Sequence, residues 1–87
     1  MKIITKTGSE YVIEDGMFIK NGFQWHTISD MFFFDIKDLD PTVKGWVEFW
    51  KFSKTMNKSS EPEVGKHMYI EGRDVWWITT EIVGIEE

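Results

Sequence analysis

Trp46, Trp50, Trp77, Lys51, Lys54 and Arg73 are candidates to grip a flat or anionic ligand. An indole face stacks on a base, a ring or another aromatic side chain, and Lys or Arg beside it neutralises phosphate or carboxylate. The same residue types also anchor protein interfaces, where Trp and Arg are enriched at the energetic centre. Two of the tryptophans sit in the stretch VKGWVEFWKF, residues 43–52. Residues 44–58 hold four lysines against one glutamate, a local charge of +3 in a chain whose net charge is −5.

Other chemistries find little support. His26 and His67 are the only histidines, and nothing in their spacing brings them together with Glu14 or Glu71 as a metal site. Asp30, Asp35, Asp38 and Asp40 lack the central Gly and closing Glu of a calcium loop. There is no cysteine, hence no thiolate ligand, thiol nucleophile or disulfide, which is compatible with a reducing cytoplasm. Neither a glycine-rich phosphate loop nor a nucleophile elbow is present. The expectation is therefore no enzyme, no metal and no cofactor. A net charge of −5 repels a phosphate backbone and argues against non-specific nucleic-acid binding. No apolar run reaches the roughly 18 residues of a membrane span, and MKIITKTGSE lacks an apolar leader core. We read the chain as soluble, unprocessed and cytoplasmic.

The elements that position these residues read as strands. Asp15-Gly16 and Asn21-Gly22 are type I′ hairpin dipeptides, because Asn, Asp and Gly tolerate the positive φ that this turn needs. Two-residue loops would place Glu14 opposite Met17, Ile13 opposite Phe18 and Val12 opposite Ile19. They would also set Lys20 opposite Phe23 and Phe18 opposite Trp25. This register gathers Tyr11, Ile13, Phe18, Phe23 and Trp25 on one predicted core face. Residues 2–7 form a preceding strand, with Gly8-Ser9 as the turn. MFFFDI, residues 31–36, reads as a strand in preference to a short helix capped by Ser29, and its three consecutive Phe require cover on both faces. A turn follows at 38–41.

Residues 46–53 read as a further strand. With Val47 and Phe49 inward, Trp46 and Trp50 form an outward pair; with Trp46 and Trp50 inward, the segment is core. Residues 54–65 form a long polar loop carrying Pro62. A hairpin around Gly72-Arg73 follows, then a closing strand over 82–86 in which Gly84 marks a bulge. Trp76 and Trp77 are adjacent on a strand and so point to opposite faces, leaving at most one in a given core. The whole, residues 1–87, is one all-β domain with little helix, an antiparallel meander closing into a small barrel or rolled sandwich.

TKTGSEYVIEDG near the start and WWITTEIVGIE near the end, with the motif T-x-T-G-S-x-Y, resemble the ends of small uncharacterised β-rich accessory proteins encoded by phages and prophages of Gram-positive bacteria. That resemblance implies a compact protein that binds and neutralises a host protein or a nucleotide signal. It supplies no catalytic residue. The expected function is a non-enzymatic binding module that engages a host or phage protein through exposed aromatics. Two alternatives stand beside it: a nucleotide-binding protein that stacks a base on Trp, and a structural subunit of a virion or homo-oligomer.

Overall fold

The structure is a computed structural model and describes residues 1–35, 49, 51, 54 and 56–87. Among these the fold is all-β, with eight strands: β1 (Lys2–Thr5), β2 (Glu10–Glu14), β3 (Met17–Lys20), β4 (Trp25–Thr27), β5 (Asp30–Phe34), β6 (His67–Glu71), β7 (Trp76–Ile78) and β8 (Ile82–Glu86). They form two antiparallel sheets, in the orders β4-β3-β2-β1-β8 and β5-β6-β7. No closed barrel is formed among the described residues.

The first hairpin has the expected register, Glu14 opposite Met17, Ile13 opposite Phe18 and Val12 opposite Ile19. Asp15 and Gly16 supply the positive φ of its turn, 50° and 75°. The second hairpin departs from expectation by one residue. Asn21 does not act as a free turn position. Its N–H donates to the Glu10 carbonyl at 2.8 Å and its side-chain oxygen accepts the Glu10 N–H at 2.8 Å, which extends the β2–β3 ladder. The loop consequently takes in Phe23, and Phe18 faces His26 while Ile19 faces Trp25. A one-residue slip exchanges the faces of every side chain beyond it. Trp25 is therefore 43 % exposed and Phe23 88 % exposed, and neither is in the core. His26 takes the inward place.

Two sheet changes define the molecule's corners. Ile28 donates its N–H to Gly16 of the first hairpin at 2.9 Å, and the next residue, Ser29, donates to Glu71 of β6 at 2.7 Å. At the other corner Ile82 donates to Lys66 at 2.8 Å as it enters β8 beside β1. One core cluster then draws Ile3, Tyr11, Phe18 and Ile82 from the first sheet and Phe33, Met68 and Ile70 from the second. The bulge expected at Gly84 falls one residue before it: Ile4 stands opposite Gly84 and Thr5 opposite Ile82, which leaves Val83 as the extra residue of the β1–β8 ladder.

A second cluster answers the puzzle of three consecutive phenylalanines. Phe33 enters the shared core, whereas Phe32 and Phe34 point to the other face of β5 and pack with Tyr69, Phe49 and Met56. Ring centroids lie 4.9 Å apart for Phe32 and Tyr69 and 5.3 Å apart for Phe49 and Tyr69, and the Tyr69 hydroxyl donates to the Glu71 carboxylate. Both faces of β5 are covered. Phe49 and Lys51 have helical backbone, which corrects the strand expected over residues 46–53 at these two positions. The polar loop is anchored at Ser59, which exchanges backbone hydrogen bonds of 2.8 and 2.9 Å with Phe33 along the outer edge of β5.

Candidate functional site

The sequence-predicted residues fall into three groups. Trp46 and Trp50 lie outside the described residues. Lys51 and Lys54 are exposed. Trp77 and Arg73 line two adjoining clefts at the end of the molecule where β4 and β7 approach each other.

The first cleft, about 200 Å³, lies between the β3–β4 turn and Trp77 and is lined by Lys20, Phe23, Gln24 and His26. Its floor is built by alternation on the strands, which sends Phe18 and His26 inward beneath Trp77. Phe18 meets Trp77 edge to face at 5.8 Å, and His26 lies 6.0 Å from the Trp77 ring. The Lys20 ammonium is 4.9 Å above Trp77 and 5.8 Å from the Tyr11 ring. One face of Trp77 thus already holds a cation, an arrangement worth roughly 0.5 to 1 kcal/mol at an exposed site. A base stacking there would have to displace Lys20.

The second cleft, about 450 Å³, shares Gln24 and His26 with the first and opens between Trp25 and the loop carrying Arg73, Asp74 and Val75. That loop is closed by the Gly72 N–H donating to Val75 at 2.8 Å. Gly72 is packed so tightly that a Cβ there would stand 3.1 Å from the His26 side chain. Glycine lets the β6–β7 loop approach β4. Trp25, which lines this cleft, also faces Met17 and Asp15 in a third, shallow depression of about 330 Å³.

Tyr11 supplies the one resolved perturbation of acidity at this end. Only 2 % of it is exposed, and burial pushes its phenol up to about 12. In the unfolded chain the phenol ionises near 10. Between these values the unfolded state loses the proton while the folded state keeps it. The stabilisation is complete below pH 10 and disappears as pH rises to 12, by about 1.4 kcal/mol per pH unit. Tyr11→Phe should flatten this part of the alkaline decline, and urea unfolding at pH 9 to 12 checks it. Parallel curves for the two proteins would show that Tyr11 ionises normally.

Sequence reasoning placed Phe23 and Trp25 in the core, and it singled out neither these two nor Lys20, Gln24 and His26 as cleft residues. The available signal was Asn21: its amide side chain, placed one residue beyond the end of β3, is suited to bond the facing strand. Among the described residues no three of His, Asp and Glu gather as a metal site, and no helix is long and apolar enough to cross a membrane. No protein-family model matches the chain, and no curated protein or solved structure is significantly similar to it.

Proposed function

We propose that the protein is a non-enzymatic binding module whose exposed aromatics engage another protein. The supporting observation is Phe23, 88 % exposed at the tip of the β3–β4 loop, with the half-exposed Trp25 two residues away. A domain short of core material gains about 1.5 to 3 kcal/mol by burying such a ring, yet these two are left in water. Large aromatics grouped at a surface are typical anchors of protein interfaces. Nucleotide binding is the weaker reading, because Lys20 occupies a face of Trp77. We further infer that the two sheets around one core are the layers of a rolled sandwich, and that the protein is a cytoplasmic accessory protein of the phage type.

Light scattering after size exclusion, with and without host extract, tests the binding reading. A monomer should retain a protein component, and Phe23→Ser combined with Trp25→Ala should abolish retention while leaving the melting temperature within a few degrees. Retention unaffected by the double substitution would overturn the assignment of these residues. A stable homo-oligomer without added partner would favour the structural-subunit alternative.

A further inference from the structure

The outer face of the five-stranded sheet carries its own pattern. Side chains directed away from the core lie in a stripe formed by Val12, Ile19 and Trp25, which sit side by side across β2, β3 and β4, with Ile4 and Met17 flanking. None of the five belongs to either core cluster. Trp25 and Met17 are exposed, and the other three are partly so. Around this stripe stand Glu10, Glu14 and Glu86 on the strands and Asp15 at the turn. Among the described residues Lys2 is the lone basic side chain on the strands' outer face, and it is already shared between Glu10 at 3.4 Å and Glu86 at 4.0 Å.

We propose that this face docks a basic amphipathic protein segment, its apolar side laid on Val12, Ile19, Met17 and Trp25 and its Lys or Arg side chains reaching Glu14, Asp15 and Glu86. The proposal rests on the binding-module reading and specifies the chemistry of the partner. Charge complementarity selects the occupant. A second copy would set carboxylates against carboxylates, and an acidic rim repels a phosphate backbone. A basic segment gains both the apolar contact and the attraction, which also accelerates its encounter with the protein.

The probe is a synthetic helical peptide with Leu on one face and Lys and Arg on the other, titrated calorimetrically into the intact protein. Its counterpart, with Glu at every basic position, is titrated in parallel. The basic peptide should bind in the micromolar range, weaken as salt rises, and lose at least about tenfold in affinity to a Glu14→Lys, Glu86→Lys variant. The acidic peptide should not bind. Circular dichroism of the variant confirms its fold, and Met17→Ser, which leaves every charge in place, should also weaken binding. Equal binding of both peptides, no binding of either, or affinity untouched by these substitutions would overturn the proposal. So would a dimer of the protein alone that Met17→Ser dissociates. Retention from extract of an acidic or neutral protein that depends on Phe23 and Trp25 would overturn the basic partner and leave the binding module standing.

Discussion

Replacing Phe18 with alanine is expected to lower the free energy of unfolding by about 3 to 5 kcal/mol. Phe18 is completely buried and touches both His26 and Trp77, so its loss leaves a cavity where the two sheets meet. A small domain has about 5 to 15 kcal/mol in all, and this one substitution removes a large share of it. Phe23→Ala, five residues further on, should change stability by no more than about 0.5 kcal/mol. Urea unfolding of the two variants side by side checks the contrast. Under the register with two-residue loops at both turns, the two residues share one core face and the costs would be alike. Equal losses would therefore overturn the observed pairing of β3 with β4.

The second large effect is expected at Phe49. It is 2 % exposed and packs against Phe32, Phe34 and Tyr69, completing the cover over the far face of β5. Phe49→Ala should cost about 3 to 5 kcal/mol and open the Phe32, Phe34 and Tyr69 rings to solvent. Increased binding of a hydrophobic dye and a loss of near-ultraviolet dichroism would accompany the shift in the urea midpoint. A loss below about 1 kcal/mol would mean that Phe49 is a surface residue, and the second cluster would have to be redrawn. Lys51→Ala, at an exposed position with helical backbone, serves as the local control and should be near neutral.

These two positions also show where the sequence is legible. Asp15-Gly16 determines the first hairpin because its positive φ demand is local and its loop length leaves a single register. Asn21-Gly22 makes the same local demand, yet the register there was decided by two hydrogen bonds exchanged between Asn21 and Glu10, across the ladder and eleven residues apart in sequence. The same chemistry that marks a turn also served the sheet. Trp25 and Phe23 changed places with His26 as a result, and the most exposed aromatic of the described residues came from the predicted core. Of the expected site, Trp77 and Arg73 reach adjoining clefts, a juxtaposition of β7 with the β6–β7 loop that their closeness in sequence makes natural. The cations and rings that meet them, Lys20, His26 and Trp25, come from a different sheet.

By itself the sequence determined the all-β class, the first hairpin, a bulge beside Gly84 and the requirement that MFFF be covered on both faces, because each follows from backbone geometry or from the alternation of side chains along a strand. Only the tertiary structure decided which aromatics are core and which are surface. Those assignments depend on register and on which sheet packs over which. A one-residue slip, invisible in composition and periodicity, reverses them.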